Sequence, residues 1–169
     1  QTTDTLTTKG TTKIEIDDEY EILSKNMTYD RISQNIFSRH ETTIRDSLGN
    51  VYNIQDGFKF NLSNEVISSK KVNILDNKNN IFSFENSKID LINKEIVGKE
   101  IKIEFVDNFF GNSNNDPVLK GKSAISNNKE TKIFKTVFTT CNTENKICPG
   151  WELETEEFTH DKVKKTFNY

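Results

Sequence analysis

Short segments in which apolar and polar residues alternate recur along most of the chain. The alternation begins at Lys13-Ile14-Glu15-Ile16 and continues to Thr166-Phe167-Asn168-Tyr169. A period of two residues places successive side chains on opposite faces of a β-strand. The pattern therefore predicts a dozen or more short strands, each with one apolar and one polar face.

Five segments share a common layout, in which an apolar-x-apolar triplet is followed by a break containing Asp or Asn and then by a second apolar stretch. Their starts lie 16, 15, 14 and 17 residues apart. The segments are MTYDRISQNIFS from Met27, TIRDSLGNVYN from Thr43, FKFNLSNEVIS from Phe58, VNILDNKNNIFSF from Val72 and IDLINKEIVG from Ile89. A recurrence of this length is too short for a helical repeat and indicates a strand, a turn and a strand per unit.

An antiparallel sheet built from these units has one apolar side, which must be covered by folding the sheet over or by packing it on a second sheet. The apolar members of the triplets are predicted to share that side, and Asn73, Asp90 and Lys102 to lie on the opposite one. The inward-facing set is Tyr29, Ile36, Ile44, Phe60, Val72, Ile74, Ile89, Leu91, Ile101 and Ile103.

Composition supports an all-β fold. The chain has 12 Phe and 4 Tyr but a single Met and, at Ala124, a single Ala, so residues that favour strands dominate its apolar content. No helix longer than about two turns is therefore expected. The hydrophobic content of 33% is low for a thick core and favours a thin, elongated interior.

Charge and hydropathy exclude other classes. The mean hydropathy of −0.71 and the lack of a run of about 18 apolar residues argue against a transmembrane helix. The net charge of −3 argues against nucleic acid as the main partner, since proteins that bind the phosphate backbone usually carry a basic excess.

Cys141 and Cys148 are the only cysteines. The two histidines, His40 and His160, show no ligand spacing to this pair, so a metal site is not expected. A disulfide is the favoured interpretation, with two reduced cysteines as the alternative. The polar stretch between them, residues 142–147, lies between two strand-like runs, and a hairpin there would permit a local bridge.

No catalytic residues are predicted. The neighbouring carboxylates Asp17-Asp18 and Glu156-Glu157 would point to opposite faces of a strand and lie in polar surroundings. Neither His40 nor His160 pairs visibly with a nucleophile. The chain is therefore not expected to be an enzyme or to need a cofactor.

The last third of the chain resembles a known family. The stretches FFGNSNNDPVLKGKSA and VFTTCNTENKICPGWELETEEFTHDKVKKTFNY resemble the amino-terminal periplasmic domain of LptD, the lipopolysaccharide-assembly protein of the outer membrane, in its α-proteobacterial form. The earlier repeats are similar to the OstA-like module shared by LptD and the periplasmic bridge protein LptA. Tyr29-Asp30, followed by Ile36 and Ser38, matches the turn and the apolar and small positions of that module.

The resemblance implies an antiparallel β-taco or β-jellyroll with an elongated apolar groove that binds the acyl chains of lipopolysaccharide. Residues 13–169 would form this OstA-like domain after a polar tail, residues 1–12, and the β-barrel of the full-length protein would follow. The ten inward-facing residues would then line the groove.

The resemblance also implies the periplasm, where the chain would be the soluble domain of an outer-membrane protein. It would receive lipopolysaccharide from an LptA-like bridge protein by edge-strand addition and pass it to the LptD barrel, which acts with an LptE-like lipoprotein. The two cysteines would be oxidised, with Cys141 joined either to Cys148 or to the barrel.

A second interpretation is a secreted β-sandwich that binds sugars or serves as a structural spacer. Such a domain would also be rich in Asn and Thr and could carry one disulfide. Its interior would be filled by interlocking side chains and would bind no lipid, which distinguishes it from the groove.

Overall fold

The computed structural model describes residues 4–106, 117–139 and 151–169. These residues form 15 strands and no helix, all in one antiparallel sheet. The all-β prediction is confirmed, and the sheet is of the β-taco or β-jellyroll kind. No helix in the described ranges is long and apolar enough to cross a membrane.

The strands follow one another along the chain with short connections. They are β1 (Thr5–Thr7), β2 (Thr11–Ile16), β3 (Tyr20–Lys25), β4 (Thr28–Asp30), β5 (Asn35–Ser38), β6 (Thr42–Asp46), β7 (Val51–Ile54), β8 (Phe58–Asn61), β9 (Val66–Leu75), β10 (Ile81–Asp90), β11 (Glu95–Glu104), β12 (Val118–Ser126), β13 (Glu130–Thr139), β14 (Leu153–Asp161) and β15 (Thr166–Asn168).

The sheet has two arms, which separate at β9. The second half of β9 pairs with β7, which leads to β6, β3 and β2; we call this side the first arm. The first half of β9 pairs with β8, which leads to β5, β4 and β1, and this side is the second arm. The long strands from β9 to β14 run through both arms.

A line of unpaired residues crosses the long strands where the two arms meet. The pairing register omits one residue in each strand. These six charged, exposed residues are Lys71, Glu85, Glu100, Lys122, Lys135 and Glu156. The omitted residues lie opposite one another, one per strand, so they interrupt the ladder across all six strands and are not β-bulges, in which two residues oppose one. Lys71, Glu100 and Lys135 have φ values of 47°, 49° and 51°, in the left-handed region.

Each unpaired residue changes the parity of the alternation. In β10, Phe82 and Phe84 are buried before the unpaired Glu85, and Ser87 and Ile89 are buried after it. The inward positions are therefore spaced i, i+2, i+5 and i+7, not i, i+2, i+4 and i+6. The apolar face stays on the same side of the sheet across the bend.

Small residues lie beside the bend. A Cβ at Gly98 would overlap the ring of Phe84, and one at Gly121 would overlap the side chain of Ile133. The hydroxyls of Ser69 and Ser87 form a buried hydrogen bond of 2.9 Å between neighbouring strands. Large side chains from one arm therefore reach over small residues of the other.

The Asp and Asn residues in the predicted breaks begin turns. Asp30, Asp90 and Asp161 each accept hydrogen bonds from backbone N–H groups two or three residues later, as does Asn61. Such side-chain bonds give the backbone an alternative to the ladder and so end a strand. The five predicted breaks are the turns at residues 31–34, 47–50, 62–65, 76–80 and 91–94. The predicted succession of a strand, a turn and a strand in each unit is therefore confirmed.

Three details differ from the sequence analysis. Residues 5–7 and 11–12, assigned there to a polar tail, form β1 and the start of β2, where Thr5–Thr7 pairs with β4. Leu91 lies in a turn, although its side chain is buried. The strand-like run after the cysteine stretch was expected to begin at Trp151, whereas β14 begins at Leu153.

The contact between Gly98 and the Phe84 ring makes a testable prediction. Inside a strand, Gly→Ala normally stabilises because alanine loses less backbone entropy. Here we expect Gly98→Ala to lower the free energy of unfolding by about 1–3 kcal/mol, because the new methyl group overpacks the bend. Urea unfolding measures the change.

Phe84→Leu provides the control. The double variant Gly98→Ala, Phe84→Leu should lose less stability than the sum of the two single variants, because the smaller side chain leaves room for the methyl group. A stabilising Gly98→Ala, or additive effects, would contradict the proposed packing.

Candidate ligand cavity

A cavity of about 760 Å³ lies between the two arms. The first arm contributes Ile74, Phe82 and Phe84 to its wall, and the second arm contributes Ile89 and Ile96. The inner faces of the two arms therefore border the same space. Its volume is within the range of small-molecule sites, and this part of its wall is apolar.

The mouth of the cavity is polar because turns form it. On the first arm the rim includes residues of the β6–β7 and β9–β10 turns, such as Asn50 and Lys78. On the second arm it includes residues of the β12–β13 and β14–β15 turns, such as Asn127 and Lys165. The cavity thus has an apolar interior and a rim of amide and charged groups.

An ion pair joins the two arms at one side of this mouth. Lys94 Nζ, in the β10–β11 turn, lies 2.9 Å from a carboxylate oxygen of Glu19, in the β2–β3 turn. Both side chains are more than 40% exposed, so the pair contributes little to stability. Both residues also line a second cavity of about 310 Å³. The pair therefore lies at the boundary between the two cavities.

Aromatic side chains bridge the arms elsewhere. The ring of Phe105, just after β11, lies 6.0 Å from the ring of Phe167 and 6.3 Å from that of His160, both edge to face. Phe167 and His160 also line the large cavity. This cluster joins the end of the first arm to the last strands of the second.

The rim aspartates are occupied by their own turns. Asp46 accepts hydrogen bonds from the backbone N–H of Leu48 and Asn50, from the Asn50 amide and from the Tyr52 hydroxyl at 2.9 Å. Burial, followed by the charge of Asp46, raises the pKa of the Tyr52 phenol, so this hydroxyl remains a donor.

Asp76 repeats the same arrangement one turn further along the rim. It accepts hydrogen bonds from the backbone N–H of Lys78 and Asn80 and from the Asn80 amide. The carboxylates of both turns therefore serve to fix the rim.

Lys162 places an ammonium group inside the mouth. Its Nζ donates hydrogen bonds to Ser126 Oγ at 3.0 Å and to the Asn127 carbonyl at 2.7 Å, and lies 6.0 Å from the centroid of the Phe82 ring. Burial lowers the pKa of Lys162 to about 8; the charge of Asp76 opposes this shift and that of Lys78 adds to it. Lys162 is therefore mostly protonated at pH 7.

His160 is neutral at pH 7. Burial, with the charges of Lys162 and Lys78, lowers its pKa to about 4, against smaller opposing effects of Asp161 and Asp76. A neutral imidazole packed on Phe167, with ring centroids 4.7 Å apart, adds apolar surface to the cavity wall.

The ten residues predicted to face inward do so to different depths. Tyr29 and Ile36 are partly buried and pair across β4 and β5. The other eight are buried members of the core: Ile44, Phe60, Val72, Ile74, Ile89, Leu91, Ile101 and Ile103. Ile74 and Ile89 line the large cavity and Leu91 the small one. Their binding of lipid stays a prediction.

The sequence analysis missed several cavity residues. Phe82 and Phe84 belong to the second apolar stretch of the segment from Val72, and the same alternation that selected Val72 and Ile74 could have found them. Lys162 could not be found in this way, because the sequence pattern predicts that a lysine next to Asp161 in a charged stretch is exposed to solvent.

Other candidates were placed as follows. Asp17 and Asp18 lie exposed in the β2–β3 turn, both with positive φ, and Glu156 and Glu157 are exposed in β14. Within the described ranges, no three His, Cys, Asp or Glu residues are grouped to hold a metal ion. Cys141 and Cys148 lie outside the described residues, and their pairing stays a prediction.

No family model matches the sequence. A search of curated proteins likewise finds no match. The basis for a functional proposal is therefore the cavity itself.

The shifted pKa of His160 predicts a pH-dependent stability. Its folded pKa of about 4 is below the unfolded value near 6.5, so the unfolded state binds more protons between these values. Its neutral form in the folded state therefore favours folding above pH 6.5, and this contribution is lost as the pH falls towards 4.

His160→Phe should keep the aromatic packing and remove this titration. We expect the difference in urea midpoint between pH 7.5 and pH 4.5 to be smaller in the variant than in the wild type. The comparison at the same two pH values in both proteins isolates the contribution of the side chain at position 160. An unchanged pH dependence would contradict the burial of His160.

Proposed function

We propose that this chain carries lipid in lipopolysaccharide transport, binding acyl chains between the arms of its sheet. It receives lipopolysaccharide in the periplasm from an LptA-like bridge protein and passes it to the LptD barrel and its LptE-like lipoprotein. The observation that carries the proposal is the cavity between the arms, with apolar walls from both and a polar mouth.

The wall chemistry supports an acyl ligand. Phe82, Phe84 and Ile89 are buried side chains of one strand, and Ile74 and Ile96 belong to its two neighbours. Moving a methylene group from water to such a surface is favourable by about 0.8 kcal/mol. A chain of a dozen methylenes therefore provides a large driving force, which sugar hydroxyls would not.

The edges of the sheet support transfer between modules. In the described part of the chain, β1 and β2 at one end and β15 at the other each pair with only one neighbour. Open strand edges offer backbone donors and acceptors to a further strand. An LptA-like protein could thus continue the sheet, and an apolar interior would continue with it.

The cavity also separates this proposal from a sugar-binding or spacer sandwich. A spacer gains nothing from space between its layers, because unfilled volume forfeits packing contacts. A sugar site would need hydrogen-bonding groups along its interior wall, whereas the part of this wall away from the mouth is formed by Ile and Phe side chains. The proposal includes no chemical step and no cofactor.

Adjacent residues of β11 provide a matched test. Ile96 lines the cavity, while Val97 points outward and is 43% exposed. With p-benzoylphenylalanine at position 96, irradiation of the purified protein with lipopolysaccharide should give a covalent adduct. At position 97 it should not, because the probe faces water on the other side of the sheet.

Ile74 and Asn73 of β9 repeat the comparison on the first arm, since Ile74 lines the cavity and Asn73 lies on the opposite face. Circular dichroism of each variant shows that the sheet is retained. Equal capture at inward and outward positions, or none at either inward position, would contradict the proposed function.

A further inference from the structure

Available positive charge is concentrated at one part of the cavity mouth. Lys162 enters the mouth from the β14–β15 turn, and its two hydrogen-bond acceptors, Ser126 Oγ and the Asn127 carbonyl, are neutral. Among the described residues no carboxylate lies within ion-pairing distance of its ammonium group. An ammonium group has three donors, so one remains for a ligand.

Two further lysines lie on the same rim. Lys78, in the β9–β10 turn, and Lys165, in the β14–β15 turn, are exposed and line the cavity. In the part of the chain that the structure describes, neither ammonium group has a hydrogen bond or an ion pair. The ammonium groups of Lys162, Lys78 and Lys165 thus border the mouth from both arms, and each has N–H donors available to a ligand.

The carboxylates of the rim are less available to a ligand, because they already accept hydrogen bonds or form an ion pair. Asp46 and Asp76 accept hydrogen bonds from their own turns, Asp90 accepts two from Asn93, and Glu19 pairs with Lys94. A ligand cation would compete with these intramolecular donors. A ligand anion would instead find donors that no acidic side chain occupies.

We propose that the cavity takes an anionic amphiphile, whose carboxylate or phosphate head group binds Lys162 while its alkyl chain lies against Phe82, Phe84 and Ile89. The inference rests on the proposed function and adds the chemistry of the head group. A charge-assisted hydrogen bond formed inside the mouth is stronger than one at an open surface, because water competes less there.

The position of Lys162 accounts for selectivity. Its ammonium lies beside the Phe82 ring, so the head group is fixed next to the first apolar side chain that the alkyl chain meets. A neutral amphiphile would bury the same chain but leave the ammonium with its two neutral partners. A cationic one would also be repelled by Lys162, Lys78 and Lys165.

Four probes, used below their critical micelle concentrations, separate head group from chain in isothermal titration calorimetry. They are dodecanoate, octaethylene glycol dodecyl ether, dodecyltrimethylammonium and acetate. We expect the wild-type protein to bind dodecanoate at least about tenfold more tightly than the neutral and cationic dodecyl probes, as the loss of a charged hydrogen bond requires. Acetate alone should bind too weakly to measure.

Lys162→Met keeps the length of the side chain and removes its charge. We expect this variant to lose about tenfold in affinity for dodecanoate and nothing for the neutral ether. Lys88→Met makes the same change on the exposed, outward face of β10 and should leave both affinities unchanged. Circular dichroism and urea unfolding check that each variant folds.

Dependence on pH gives a second readout. The affinity of the wild type for dodecanoate should fall as the pH rises from 7 to 9.5, because Lys162 loses its proton near pH 8. Four charged or titratable groups face Lys162: His160, Asp161, Asp76 and Lys78. The pKa values of His160, about 4, and of Asp161 are both lowered, so neither group changes charge in this range. Lys162→Arg should bind dodecanoate with no such fall.

The outcomes are distinct. If dodecanoate and the neutral ether bind equally, or Lys162→Met binds dodecanoate as the wild type does, the head-group inference is wrong while the proposed lipid binding stands. If acetate binds as tightly as dodecanoate, the site holds a small anion and the inference is wrong. If no dodecyl probe binds, the proposed function and this inference both fail.

Discussion

The structure depends on one constraint: a strand that crosses a bend must keep its apolar side chains on the same face. Strict alternation through a tight bend cannot do this without strain, and the fold instead leaves one residue of each long strand unpaired at the bend. In β9 and β11 the unpaired residues are Lys71 and Glu100, in the left-handed region. Their side chains are exposed, so the inward face continues without interruption from one arm to the other.

The bend also explains where space remains between the arms. Close to the bend the arms approach each other, because Gly98 leaves room for the Phe84 ring and Gly121 for the side chain of Ile133. Further away the arms end in turns, and on the first arm the Asp46 and Asp76 side chains fix these turns from within. An apolar interior with a polar rim follows from this geometry.

The sequence was sufficient for the local features of this fold. Asp and Asn at the breaks marked the turns because their side chains bond to nearby backbone groups, and the triplets of Val72-Ile74 and Ile101-Ile103 marked the inward face because burial follows parity. Both signals act over a few residues. They were therefore visible without knowledge of which strands pair.

The rest depended on distant contacts. Lys71 and Glu100 resemble other polar positions, and only the pairing of β9, β10 and β11 shows that they are left out of the ladder at the bend. The alternation of residues along β9 also predicts that Ile74 faces inward. Whether another side chain fills the space beside Ile74 depends on the opposite arm, which the alternation does not show. Lys162 lies near Phe82 only because β14 and β15 complete the second arm, 80 residues later in the chain.

Burial of the Lys162 ammonium has an energetic cost that bears on the proposed head-group site. Its folded pKa of about 8 is below its unfolded value of 10.5, so the unfolded state binds the proton more tightly. Stability therefore rises with pH between these values, and at pH 7 the buried charge weakens the folded state. The anionic head group proposed for this site would offset that penalty, because it would bring to the ammonium a negative charge in direct contact.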